Sequence, residues 1–220
     1  MTYNIPTNWT FKNDAIANAF DEHVREQLPW YDLATSAVAQ IARHYIGERG
    51  VVYDIGASTG NIGRALADTI QSRKAMFISL EESEAMCKQY DAPGNIVHTR
   101  AQDYEFGSFD FATCFLALMF MRPNEARDLL DELISKIDYN GALVVVERTL
   151  PPSGYASLVT SRITLNAKRE AGANADNIID KELSLAGVQR PMASELFTSR
   201  GGIEFFRFAD FAGYLFEGAR

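Results

Sequence analysis

Two short segments carry the residues best suited to holding a polar ligand. Val51-Val52-Tyr53-Asp54-Ile55 is a β-rich run that ends in Gly56-Ala57-Ser58-Thr59-Gly60, so an acidic residue sits beside a turn of the form D-x-G-x-S-x-G. Gly56 and Gly60 permit backbone torsions and a close ligand approach that a side chain would obstruct. Asp54 can accept hydrogen bonds, directly or through water, from an ammonium group. The second segment, Ile78-Ser79-Leu80-Glu81, ends another β-rich run in a carboxylate whose two oxygens match the separation of two ribose hydroxyls, and Glu82 follows it. The glycine spacing differs from the G-x-G-x-x-G that rests a pyrophosphate on a helix N-terminus. The turn and Glu81 together therefore point to an adenosine-type ligand without a pyrophosphate.

Other chemistry-bearing residues are sparser. His23, His44 and His98 lack metal-ligand spacing; one of them can serve as a general base, but a surface or capping role is the simpler reading for each. Phe115 to Phe120, with Leu116, Leu118 and Met119, is an apolar run at the end of an expected strand; most of it reads as core, with Phe115 able to face a ligand. Arg148 can bind an acidic substrate or close a rim salt bridge. No G-x-S-x-G elbow or Ser/His/Asp set can be assembled around Ser58.

The elements that must position these residues alternate along the chain. Ile16, Ala19, Phe20 and Val24, then Leu33, Ala37, Ile41 and Tyr45, repeat at helical spacing on either side of Pro29. Beyond the first strand and turn, helical spacing resumes over Ile62 to Ile70. Strands are expected at Ala75 to Leu80, Asn95 to Thr99, Phe109 to Phe115 and Ala142 to Val146, with helices at Ser83 to Tyr90 and Asn124 to Ile137. Strands separated by helices imply parallel pairing through right-handed crossovers. After Pro151-Pro152 a long polar helix is expected from Tyr155 to Glu170, then further helical turns, and finally two strands, Ile203 to Phe208 and Phe211 to Phe216.

Bulk properties narrow the partners. The chain has 220 residues, is 47% hydrophobic and carries a formal charge of -8 with no Lys/Arg-rich segment, which argues against nucleic acid and for a small-molecule substrate. Arg162, Lys168 and Arg169 can form one basic patch, although a solvated helix face is the simpler reading. Cys87 and Cys114 form no disulfide framework or C-x-x-C site, so a reducing compartment is expected. No apolar run long enough to cross a bilayer occurs, Met1 to Thr10 lacks the apolar segment of a signal peptide, and a cytoplasmic location is the expectation. No linker-like stretch divides the chain, so one domain over 1–220 is expected: a helical cap over 1–48 and a core over 49–220 with a helical insertion at about 152–200.

The Asp54–Gly60 turn and Glu81 resemble motif I and the acidic second-strand position of class I methyltransferases, which depend on S-adenosyl-L-methionine (SAM). Within that group the chain resembles the carboxy-SAM synthase family, enzymes that make carboxy-SAM from SAM and prephenate for tRNA wobble-uridine modification. The likeness runs through Phe20-Asp21-Glu22-His23-Val24, Pro29-Trp30-Tyr31, Val52 to Ser58, Glu84-Ala85-Met86, Leu129-Leu130-Asp131 and Asn140-Gly141-Ala142-Leu143-Val144. The resemblance implies a Rossmann-like α/β fold: a seven-stranded, mostly parallel sheet with an antiparallel terminal strand and an N-terminal helical cap. It implies SAM held by Asp54, Gly56, Ala57, Ser58, Gly60, Glu81 and Glu82, with Asp103 and Tyr104 near the adenine and Phe115 as an apolar wall. Tyr31 falls at the family's cofactor-facing tyrosine and is the candidate catalytic residue. Three positions depart from the family: Lys181-Glu182-Leu183 stands where it has a carboxylate-binding arginine, Phe115 where it has an asparagine, and Arg100 where an acidic residue usually addresses the adenine amine.

The expectation is a SAM-dependent methyltransferase with a small, acidic or aromatic acceptor and S-adenosylhomocysteine (SAH) as product. A carboxy-SAM synthase-like enzyme and a non-catalytic SAM-binding module are the alternatives. The resemblance and the long polar helix after Pro152 also point to a homodimer. If Gly60 lies against the ligand, Gly60→Asp lowers SAM affinity in a calorimetric titration.

Overall fold

The computed structural model describes residues 5–218. Helix α1 (Asp14–Gln27) starts where Asn13 accepts a hydrogen bond from the Ala15 N–H at 2.8 Å, and α2 (Tyr31–Tyr45) follows after Pro29. Then come β1 (Val51–Ile55), α3 (Asn61–Arg73), β2 (Met76–Glu81), the short α4 (Glu84–Lys88), β3 (Asn95–His98), β4 (Phe109–Phe115), α5 (Pro123–Ser135) and β5 (Ile137–Arg148). Helices α6 (Tyr155–Glu170), α7 (Ala175–Ser184) and α8 (Glu195–Thr198) precede the closing pair β6 (Ile203–Phe208) and β7 (Phe211–Glu217).

The strands form one seven-stranded sheet in the order β3-β2-β1-β4-β5-β7-β6. Pairing is parallel from β3 through β5 and antiparallel on both sides of β7, as the mostly parallel pattern with an antiparallel terminal strand requires. Connections leave β1 in one direction and β4 in the other, which opens a crevice above their carboxyl ends. Central strands read as continuous apolar runs because both faces are covered: Val52, Phe111 and Val144 meet α2 and α3 through Val38, Ala42 and Leu66, while Tyr53, Phe109 and Leu143 meet α5 through Leu129, Leu130 and Leu133. A smaller cluster of Trp9, Ile16, Ala17, Ala85, Met86 and Leu185 sits apart and draws the residues before α1 against α4 and the end of α7.

Several elements differ from the sequence reading. The buried face of α2 is Ala34, Val38 and Ala42, one residue out of phase with the expected stripe, and Leu33 is 67% exposed. Periodicity sets a spacing but not a phase, and here alanines allow the closer backbone approach. Strand β5 begins five residues early, because Ile137 pairs with Phe109 across a bulge and Asn140 takes a positive φ of 62°. Helix α6 covers the expected residues but turns inside out: Thr164 and Lys168 are buried, while Tyr155, Leu158 and Ile163 face outward. Lys168 therefore leaves the surface basic patch.

The connection from α2 to β1 depends on a distant carboxylate. Asp110 accepts hydrogen bonds from the N–H groups of Val51 at 2.8 Å and Gly47 at 3.3 Å, and it lies so close to Gly50 that a Cβ there would meet it at 2.7 Å. Asp110→Ala is expected to lower stability by about 1–3 kcal/mol in denaturant unfolding, since it strands two backbone donors.

Candidate active site

A cavity of about 350 Å³ lies over the carboxyl ends of β1, β2, β4 and β5 and is closed by α1, α7 and residues 9–12. The turn after β1 brings Asp54, Gly56, Ala57 and Ser58 to its wall, where Gly56 and Ser58 take positive φ values of 74° and 52°. The end of β2 brings Glu81 and Glu82, α2 brings Tyr31, and β4 brings Phe115.

Glu81 ties the two turns together. One oxygen accepts from the Ser58 N–H and the other from the Ser83 N–H, both at 2.8 Å, and Ser83 in turn donates its hydroxyl to the Phe11 carbonyl at 2.5 Å. Burial pushes the Glu81 carboxyl up, and the two N–H donors oppose it. Asp54 is 1% exposed, and its Oδ2 has no hydrogen-bond partner among the described residues. Burial, then the neighbouring Glu81 carboxylate, push the Asp54 carboxyl up to about 8. A buried acceptor without a partner at a cavity wall suits a donor brought by a ligand, and an ammonium group is the strongest such donor.

The cap is tied to the same turn. Asp21 on α1 accepts from the Thr59 hydroxyl and from the Arg64 guanidinium, both at 2.7 Å, and Arg64 also donates to the Thr59 carbonyl at 2.6 Å. Tyr31 is buried with its ring edge-on to Phe115 at 5.3 Å, and the Arg25 guanidinium lies over it; burial, then Asp21, push its hydroxyl well above the ordinary tyrosine range. It therefore stays protonated and can donate a hydrogen bond into the cavity.

Some expected residues lie elsewhere. Gly60 does not line the cavity: a Cβ there would meet Ala92 at 2.7 Å, and its φ is 94°, so Gly60→Asp reports on the fold before it reports on a ligand. Asp103 is turned outward to Arg100 at 3.5 Å, and Tyr104 packs edge-on against Tyr53 and Phe106. Thr99, Ala101 and Gln102 form that part of the wall, because the 3-10 turn Ala101–Asp103 presents Gln102 rather than its neighbour. Leu116, Met119 and Phe120 join Phe115 at the cavity, so more of that run faces inward than expected.

Other residues gain roles only in three dimensions. Glu147 is fully buried and accepts from the N–H groups of Ala117 at 2.9 Å, Leu118 at 2.7 Å and Met119 at 3.1 Å, holding the loop after β4 whose Ala117 packs against Gly56. Burial pushes its carboxyl up to about 8 against those three donors. His23 is not on the surface: it is buried, stacks on Trp9 at 5.5 Å and is held neutral, near 3, by burial and then by Lys181 and Lys168. His44 and His98 are exposed. Arg148 is taken up by Asp210 at 2.7 Å, Gln189 at 2.6 Å and Glu182 at 3.3 Å, a salt-bridged core rather than an open anion site. Lys181 lines the cavity over the Trp9 ring.

Comparison with known proteins bears on the fold. The fold is that of class I SAM-dependent methyltransferases: an O-methyltransferase family protein from Burkholderia thailandensis superposes with a TM-score of 0.59 at 11% identity, over 95% of this chain and 61% of that one. The magnesium protoporphyrin IX methyltransferase of Synechocystis PCC 6803, solved with bound SAH, superposes with a TM-score of 0.55 at 13% identity, over 85% of this chain and 83% of that one. In sequence the chain is similar to a carboxy-S-adenosyl-L-methionine synthase from Staphylococcus epidermidis, 29% identical over 197 residues that cover 87% of this chain and 86% of that protein. No protein-family model matches the chain.

A cationic ligand group beside Asp54 favours its ionised form, so SAM affinity is expected to rise between about pH 6 and about pH 9 with proton release, and Asp54→Asn should weaken binding and flatten that rise in calorimetry. For the free protein the sign is reversed. The Asp54 carboxyl is raised from 3.8 to about 8, so its contribution to stability is full below the lower value and is lost as pH rises through the upper one. Glu147→Gln faces an amide donor to backbone donors and is expected to cost about 1–3 kcal/mol in denaturant unfolding and to weaken SAH binding as the Ala117 loop loosens.

Proposed function

We propose that the chain is a SAM-using enzyme that transfers the methyl group to a small-molecule acceptor, with SAH as product. The observation that carries this reading is the orphaned, buried Asp54 Oδ2 at a cavity wall shared with the Gly56–Ser58 turn and the Glu81 carboxylate. Those residues fit the ligand: Asp54 takes the ammonium, the backbone of Gly56, Ala57 and Ser58 passes along the methionine portion, and Glu81 takes the ribose hydroxyls. Glu82 stands at the rim beside Glu81, Gln102 addresses the adenine edge and Phe115 supplies an apolar wall. Bound SAM supplies a methyl group already activated as a sulfonium, which leaves the protein to align the acceptor, exclude water and manage a proton. Tyr31, with its hydroxyl held protonated beside Phe115, positions the sulfonium side.

The second reading is carboxy-SAM formation from SAM and prephenate. It is favoured by the similarity to the Staphylococcus epidermidis synthase and by a lysine at the cavity, Lys181, within the Lys181-Glu182-Leu183 stretch that stands where the family has an arginine. A lysine ammonium offers a point charge in place of a bidentate fork.

The reading treats residues 1–220 as one ligand-binding domain in the cytoplasm. Among the described residues no helix is long and apolar enough to cross a membrane. The outward-facing Tyr155, Leu158 and Ile163 of α6 support a homodimer.

Calorimetric titration with SAM, SAH and carboxy-SAM tests the reading directly. Preference for SAM and SAH, lost at least tenfold in Glu81→Ala, is the expected result. Preference for carboxy-SAM would favour the second reading, tight SAM binding without turnover on any acceptor would favour a non-catalytic module, and no binding of the three would overturn the proposal.

A further inference from the structure

Four cationic side chains line the same cavity with different partners, and Lys12 pairs with Glu82 at 3.2 Å. Arg148 is engaged by Asp210, Glu182 and Gln189, and Lys168 by Glu182 at 2.8 Å. Lys181 is 9% exposed, lies over the Trp9 ring and makes no hydrogen bond or ion pair among the described residues. The groups facing it from each surrounding element are His23 on α1, Trp9 before α1, Lys168 on α6 and Glu182 on α7, whose carboxylate is already shared between Lys168 and Arg148. The backbone N–H of Trp9 donates to the Ser184 carbonyl at 2.9 Å, which ties the chain at Trp9 to the end of α7.

An ammonium buried without an acceptor gives up its proton, and a second cation nearby drives it further. Burial, then Lys168, bring the Lys181 amine down to about 5, with Glu182 opposing. A neutral amine at neutral pH carries a lone pair, and here that lone pair borders a ligand cavity. Around it the wall is aromatic: Trp9, Phe11, Phe20 and Phe120 line the cavity, with Phe11 edge-on to Phe120 at 4.9 Å. Such a wall suits a ring. A carboxylate acceptor needs no base and an aliphatic alcohol is a far weaker acid, whereas a phenol with a pKa of about 10 becomes strongly acidic as its oxygen takes the methyl group and can then pass its proton to so weak an amine.

We propose that Lys181 is the general base for methylation of a phenolic hydroxyl, an inference that rests on the SAM-dependent transfer proposed above. The phenol oxygen attacks the methyl carbon, the carbon–sulfur bond breaks with its electron pair remaining on sulfur as SAH, and the hydroxyl proton passes to the Lys181 amine. The ammonium so formed returns the proton to solvent after product leaves.

Competitive acetylation of the whole protein with acetic anhydride between about pH 5 and about pH 9, read by peptide mass spectrometry, tests the state of the amine. Lys181 is expected to reach its full rate below about pH 7, while the exposed Lys74 is still rising at about pH 9. A Lys181 that titrates like Lys74, or that stays unlabelled throughout, overturns the proposal; the former would mark an ammonium suited to an anionic ligand. The second measurement is single-turnover transfer from SAM to a panel of hydroxybenzoates and hydroxycinnamates, with SAH titrated in the same preparations. Wild type should methylate at least one phenol, and Lys181→Met should lower that rate about a hundredfold while SAH affinity stays within about threefold. SAH binding without methylation of any phenol sinks this inference and leaves the SAM reading standing, whereas absence of SAH binding sinks both.

Discussion

A carboxylate taken out of water must be met by donors, and that requirement shapes the ligand-facing edge of this protein. Glu81 holds the turn after β1 to the turn after β2 by dividing its two oxygens between the Ser58 and Ser83 N–H groups. Glu147 does the same for the loop after β4, with three N–H donors. Gly56 then fits against Ala117 only because it lacks a side chain, since a Cβ would meet the alanine methyl at 2.7 Å. Three loops are thus fixed to one another by two buried acids and one close contact. Asp54 is the exception that gives the site its direction: it has an oxygen with no partner among the described residues.

The cap extends this logic across the cavity. Asp21 reaches from α1 to Thr59 and Arg64, so the helix that closes the cavity is coupled to the turn beneath it. On the opposite side, Arg148, Asp210, Glu182, Lys168 and Thr164 form a chain of ion pairs and hydrogen bonds that fastens α6 and α7 to β5 and the β6–β7 turn. Thr164 and Lys168 explain the inverted helix α6, whose polar side is drawn inward by that network while apolar residues remain outside. The cavity therefore has a carboxyl end at Asp54 and Glu81 and an amine end at Lys168 and Lys181.

Much of the architecture was legible in the residues. Alternating strand and helix patterns located β1 to β4 closely and the centre of β5, and the Asp54–Gly60 turn with Glu81 marked the carboxyl ends where the cavity opens. Errors fell where local pattern is silent about tertiary contact. Leu33 is as apolar as Val38, yet only packing against α3 and β5 decides which face of α2 turns inward. Asp103 is acidic and near the expected adenine edge, but Arg100 draws it outward and leaves Gln102 on the wall.

The sequence by itself determined the elements, their alternation and the chemistry of the first turn, because those follow from hydrophobic spacing and from backbone torsions that glycine permits over a few residues. Tertiary structure alone decided which ionisable groups are buried together. His23, Glu147 and Lys181 are ordinary residues along the chain; their altered protonation arises from desolvation and from neighbours far away in sequence. Burial and charge proximity are properties of the folded arrangement, and no short window of residues encodes them.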